Sequence, residues 1–237
     1  MEGHSHALSG ACTGLAAGIL LHYSLPYDVA LSGYTAGMAL IPDLDSCGSS
    51  GARCLGLLSG AVSHVLRRLS GGHRHATHSL LGIGVFTGLA WAACHYRHDL
   101  GGKIGLALLL AIAVSSGLEA LSRRLRNGHV ADLIACAVAG AVIWKGYGLA
   151  LIPLATLIGC CTHIAGDMLT DSGCNLAWPL SRRRFHLLPE PLAFTTGTRP
   201  ETLIVAPLLL TTLVVLGAWA ADPSAVLYGW HHAVAAL

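Results

Sequence analysis

The stretch Gly159-Cys160-Cys161-Thr162-His163-Ile164-Ala165-Gly166-Asp167-Met168-Leu169-Thr170-Asp171 closes an apolar run that begins near Tyr147 and is long enough to cross a bilayer. It sets His163 and Asp167 four residues apart, and positions i and i+4 of a helix stack on one face. An ionisable pair in hydrocarbon is costly, so such residues face a polar cavity or each other rather than lipid. The run therefore predicts a spanning helix with a polar site at one membrane boundary. An imidazole and a carboxylate converging there suit a metal ion. They also suit a plain His–Asp hydrogen bond between helices, and this stretch alone does not separate the two.

The rest of the chain agrees with a membrane setting. Its 237 residues are 54% hydrophobic and 11% charged, with a mean hydropathy of +0.62, whereas a soluble domain carries about 25% charged residues. A net charge of +2 gives no argument for a nucleic-acid partner, and none is predicted. The fourteen histidines equal the lysines and arginines in number, and histidine is the commonest metal ligand. Eight cysteines lie mostly inside apolar runs without a CxxC pair, which reads as small buried hydrophobes rather than a disulfide framework. Met1-Glu2-Gly3-His4 lacks the basic n-region of a secretory signal, so the first apolar run is expected to remain as a span.

Seven candidate spans follow, at about 7–25, 29–41, 79–94, 104–121, 130–144, 147–169 and 202–221. The piece 55–69 mixes His64, Arg67 and Arg68 with leucines and is expected to lie in the interface as an amphipathic helix. The predicted fold class is all-α: a polytopic transmembrane helical bundle of about seven spans with a short interfacial helix, in a single domain covering 1–237. Threaded alternately, the spans put eleven of the fourteen basic residues on one side, leaving Arg97, Lys103 and Lys145 opposite. Basic loops stay cytoplasmic. The N-terminus is thus predicted inside and the C-terminus outside, and the tail 224–237 receives no role.

The same threading gathers the polar motifs on the inner face. His6 precedes span one, with His4 as its neighbour; Asp43 and Asp45 close span two; His73, Arg74 and His78 open span three; His163 and Asp167 close span six. Seven ligand candidates result: His6, Asp43, Asp45, His73, His78, His163 and Asp167. Zinc takes this nitrogen–oxygen donor set, often with a position left for water whose pKa falls towards ~7. Arg74 stands where it can hold an anionic substrate. His64, His75, His129 and His186 share the face without a spacing argument, while Glu119 and Asp132 are expected to pair with Arg123 or Arg124 between helices.

Together, Pro42-Asp43-Leu44-Asp45, His73-Arg74-His75-Ala76-Thr77-His78-Ser79 and His163-Ile164-Ala165-Gly166-Asp167-Met168-Leu169-Thr170 resemble the motifs of the YdjM-like family, bacterial inner-membrane proteins described as membrane-bound metal-dependent hydrolases. His6 with Gly10, Trp178-Pro179, Arg184-Phe185-His186-Leu187-Leu188-Pro189, and Thr196-Gly197 before Glu201 are similar to further family elements. The chain departs at Asp171-Ser172-Gly173, where relatives often have proline after the threonine, and 96–146 reads as an insertion of two spans.

The resemblance implies phosphoester hydrolysis at the membrane, by analogy with zinc phospholipases C. One to three divalent ions would be bound, zinc first among them. Asp45 or Asp167 would act as general base, and Arg74 and Arg184 would hold the anionic group. The implied substrate is a membrane lipid or lipid-linked phosphoester, with a soluble phosphoester as the alternative. Two rival classes stay open: a metal-ion or solute transporter, and a non-catalytic scaffold with a structural metal. The clustering of candidates at one face, with no ionisable run across the core, favours a site over a path.

Overall fold

The computed structural model describes residues 1–46, 48–53, 56–122, 125, 129–189 and 191–224. Arg123, Arg124 and most of the tail 224–237 lie outside the described residues. Nine helices run in chain order among those described: α1 (Gly3–Leu20), α2 (Leu25–Met38), α3 (Ser50–Arg53), α4 (Leu57–Leu69), α5 (Leu80–His95), α6 (Leu100–Leu121), α7 (Val130–Lys145), α8 (Ile152–Met168) and α9 (Ala206–Ala221). Short 3₁₀ turns at Pro42–Asp45, Ala76–His78 and Leu149–Leu151, and a π turn at Glu201–Val205, join or extend them. The described chain is all-α, with only two isolated β-bridges in the 170–194 segment.

A helix stands at each of the seven expected positions. Three are long and apolar enough to cross a membrane by length and composition: Leu100–Leu121, Leu149–Met168 and Glu201–Ala221. Leu80–His95 is apolar but shorter. Several boundaries differ from expectation: α1 begins at Gly3 instead of 7 and α6 at Leu100 instead of 104. α1 stops at Leu20, and α2 starts at Leu25 instead of 29 because Pro26 falls in its first turn, where its missing N–H costs nothing. α4 sits where the interfacial helix was predicted, with Arg67, Arg68 and Leu69 exposed.

Small residues bring the helices together. A Cβ on Gly10 of α1 would lie 2.7 Å from the Thr35 carbonyl of α2, and one on Gly159 of α8 would lie 2.7 Å from the Ala39 nitrogen. Such contacts admit only glycine, and they let α1 and α8 flank α2 at backbone distance. In a bilayer this close van der Waals packing, rather than apolar burial, is what holds spans together. Leu31, Met38, Leu106, Leu110 and Ile152 form the centre of the core. α6 packs on α2 as well as on α7, so 96–146 is built into the bundle. α9 buries no residue and shows its leucines and valines outward.

The packing fixes which ends meet. The start of α1, the turn after α2, the turn before α5 and the end of α8 lie together, joined by side-chain contacts between His6, Asp43, His78, His163 and Asp167. Glu119 at the end of α6 and Glu201 at the start of the last span reach Arg53 and the Glu2 backbone at the same end. The expected pairing of Glu119 and Asp132 with Arg123 or Arg124 falls on arginines outside the described residues; among those described, Glu119 meets Arg53 at 3.3 Å and Asp132 accepts from Ser115 at 2.6 Å.

Candidate metal centre

His163 is placed by the backbone before it is placed by any side chain. The close seat of Gly159 on Met38 and Ala39 lets the Ala39 carbonyl, freed at the end of α2, accept from His163 Nδ1 at 2.6 Å. A carbonyl only accepts, so Nδ1 carries the proton and Nε2 of the neutral ring is a lone pair. His78 is oriented the same way by a different route. The Thr77 hydroxyl donates to Asp45 Oδ2, so His78 Nδ1–H donates to Thr77 Oγ1 at 2.9 Å, and His78 Nε2 is also a lone pair.

These two lone pairs face each other across 3.0 Å. Asp43 Oδ1 lies 3.5 Å from His78 Nε2 and 3.7 Å from His163 Nε2; Asp167 Oδ2 lies 3.6 Å from each. Asp167 Oδ2 is buried with no hydrogen-bond donor. Its other oxygen is saturated, accepting from Arg74 at 3.0 Å, the Met1 amino group and His6 Nε2, the last at 3.2 Å. With both rings neutral, these four acceptors have no donor among them and repel one another. A proton would relieve one pair, whereas a cation would relieve all four. Tetrahedral zinc with ~2.0–2.1 Å bonds holds its donors roughly 3.3 Å apart; the five His–His and His–Asp separations here are 3.0–3.7 Å, and His78, His163 and Asp167 form one group able to hold an ion. The donor set fits a metal.

Two further groups overlap this one: His6, Asp43 and His163, and Asp43, His73 and His78. Six of the seven ligand candidates thus occur in groups able to hold an ion. Asp45 is the exception. It is fully buried behind the ligands, accepting from Thr77, from the Arg74 backbone at 3.3 Å and pairing with His73 Nδ1 at 2.7 Å. That is the outer carboxylate of a carboxylate–histidine–metal arrangement. His6 stacks on His163 at 3.7 Å and keeps Nδ1 buried without a partner, a second unused lone pair at the same place.

Electrostatics match ligation. Burial pushes the His78 pKa below its ordinary value, outweighing Asp43 beside it, so the ring is neutral at pH 7. Arg74, at φ +63°, points its guanidinium at Asp167 and, at 3.5 Å, Thr170. Arg184 lies apart on the surface, donating to the Ser172 carbonyl at 3.4 Å. Asp171 accepts from Thr195 at 2.7 Å and so ties the following loop by a side-chain bond. Cys160 is buried and Cys161 exposed, and neither enters a ligand group.

Sequence reading assigned no role to Thr77, Ala39 or Glu201. Thr77 and Glu201 were visible as members of motifs, one orienting His78 and the other binding the Glu2 and Gly197 N–H groups at 2.6 and 2.8 Å. The Ala39 carbonyl left no signal, because a backbone acceptor can belong to any residue type. With the geometry in place, the comparisons with known proteins agree: the family described as YdjM inner membrane protein matches residues 1–225. No curated protein and no solved structure matches the chain.

Proposed function

The chain belongs to the YdjM family of inner membrane proteins, and on that premise we propose that it is a membrane-embedded, metal-dependent hydrolase of phosphoesters. The observation that carries the reading is the convergence of His78 Nε2, His163 Nε2, Asp43 Oδ1 and Asp167 Oδ2, four acceptors within 3.0–3.7 Å across every measured pair. Two imidazoles and two carboxylates suit zinc, and the two overlapping groups leave room for one to three ions. Bound there, such a cation supplies Lewis acidity towards a phosphoryl oxygen and lowers the pKa of water to near neutrality.

The chain's own residues supply the rest. Asp43, the partly exposed member of the four, lines a cavity of about 300 Å³ and is the carboxylate an entering water meets. It is placed to accept that water's proton. Asp45 acts through Thr77 and keeps His78 in its ligating tautomer. Asp167 draws His6 and Arg74 together, and the Arg74 guanidinium brings positive charge to the rim where phosphoryl charge would develop. The seven longer helices serve as spans, and the basic loops put this rim and the N-terminus on the cytoplasmic side. A phospholipid or lipid-linked phosphoester reaches a rim at that depth from the headgroup layer.

Purified protein in detergent tests this directly. At least one zinc per chain is expected by elemental analysis, with bis(p-nitrophenyl) phosphate hydrolysis that chelation abolishes and added zinc restores. His163→Ala should lose both. Less than about half an ion per chain after metal addition would defeat the reading, since a site this complete binds zinc with an apparent ~10 kcal/mol or more. Retained zinc without turnover of any phosphoester would leave a structural metal and reject the enzyme.

A further inference from the structure

Of the expected anion-holding arginines, Arg74 is turned towards Asp167 and Thr170 inside the ligand cluster, and Arg184 donates to the Ser172 carbonyl apart from it. A third arginine stands closer to where substrate must enter. The cavity of about 300 Å³ beside Asp43 is lined by Glu2, His4, Ser49, Arg53 and Glu119 among others, and its walls are mainly polar. It is small for a ligand pocket and unsuited to hydrocarbon. Arg53 and Asp43 line it together.

Arg53 is held in place from both ends of its guanidinium. One terminal nitrogen donates to the Gly48 carbonyl and the other to Glu119 Oε2 at 3.3 Å. Glu119 is itself buried at the end of α6. Gly51 sits close to this arrangement: a Cβ there would lie 2.8 Å from Leu44 Cδ2 and 3.2 Å from Ser116 Oγ, where α3 packs between the turn after α2 and α6. Arg53 keeps about a third of its side chain exposed, 37%, while Glu119 keeps 4%. A guanidinium anchored at both terminal nitrogens, on a side chain 37% exposed at a polar cavity that Asp43 also lines, still carries N–H groups beyond those two bonds and is suited to a phosphate-like anion.

We propose that Arg53 is the substrate-anion residue of this cavity and that Glu119 is its positioning residue, so that a phosphate-bearing polar headgroup enters here while any hydrocarbon stays in the bilayer. The proposal deepens the hydrolase reading and rests on it for the identity of the anion as substrate.

The test uses full-length protein in nanodiscs and inorganic phosphate as probe, with binding measured by calorimetry in zinc-loaded and chelated samples. Arg53→Gln should weaken phosphate binding about tenfold or more, the scale of one charge-assisted hydrogen bond, with zinc content unchanged. Arg53→Lys should recover part of the loss. Glu119→Gln should raise KM for a phosphoester several-fold with kcat nearly constant, a split that a merely structural loss would not produce. Unchanged phosphate affinity in zinc-loaded Arg53→Gln overturns the proposal and leaves the hydrolase standing. Arg53-dependent phosphate binding without turnover, or without zinc uptake, rejects the hydrolase and retains the anion site. If Arg53→Gln misfolds, Arg53→Lys carries the test, and wild-type affinity in it counts against the proposal.

Discussion

His78 and His163 turn lone pairs towards each other because each ring's other nitrogen is committed as a donor, one to Thr77 and one to the Ala39 carbonyl. The arrangement predicts what single substitutions do. Thr77→Val keeps the side chain's shape but removes both the donor to Asp45 and the acceptor for His78, freeing the ring to change tautomer. Metal affinity, read by competition with a chromogenic chelator, should fall roughly 10–100-fold, the range of outer-partner losses. Thr77→Ser should keep most of it; equal loss in both would show the hydroxyl to be irrelevant. The pH dependence follows from His78. Its folded pKa lies below the ordinary ~6.5, so below that value the unfolded chain takes up a proton that the folded site refuses. The contribution of His78 to stability and metal retention should therefore be constant above about pH 6.5 and decline as pH falls beneath it, measured as the difference between wild type and His78→Gln in melting and zinc content across a buffer series.

At the scale of elements, the site depends on helices approaching closer than ordinary side chains permit. Gly159→Val would set Cβ 2.7 Å from the Ala39 nitrogen and push α8 off α2. An overpacking cost of about 1–3 kcal/mol is expected, and the His163–Ala39 bond should loosen with it. Thermal unfolding and zinc content should drop together; a stable variant with full zinc would show that α8 has room to shift. The i, i+4 pair was legible in the sequence, since the helical period sets it locally; the close approach at Gly159 was not, because it depends on which helix packs against it. The start of α2 was not, because Pro26 reads both as a terminator and as a first-turn residue. Glu201 was legible only as a motif member. Its buried carboxylate accepts from Glu2 and Gly197 N–H groups, a role seen once the last span packs beside the first.

For the whole molecule, a bound cation would act as a clamp across α1, α8 and the turns following α2 and preceding α5. Saturating zinc at ~100 times its dissociation constant adds about 2.7 kcal/mol. For a chain of this size that corresponds to a melting shift of roughly 5–10 °C. Chelation should lower the midpoint of wild type by that amount and leave His163→Ala unmoved. An equal shift in both would place the stabilising ion elsewhere.

The amino-acid sequence by itself determined that this chain is helical and belongs in a membrane, and it singled out the histidines and aspartates that share one face. Those are properties of composition and of local period, and they survive any uncertainty about packing. It also marked Asp43 and Asp45 alike, as two acids after one proline. Only the tertiary structure separated them, turning Asp43 towards the imidazole nitrogens and burying Asp45 behind Thr77. It alone moved the entry cavity's arginine from a distant loop to Arg53, through a partner sixty-six residues away. The reason is physical: which donor or acceptor a buried polar atom meets depends on backbone approaches between segments far apart in the chain, and no local pattern encodes those distances.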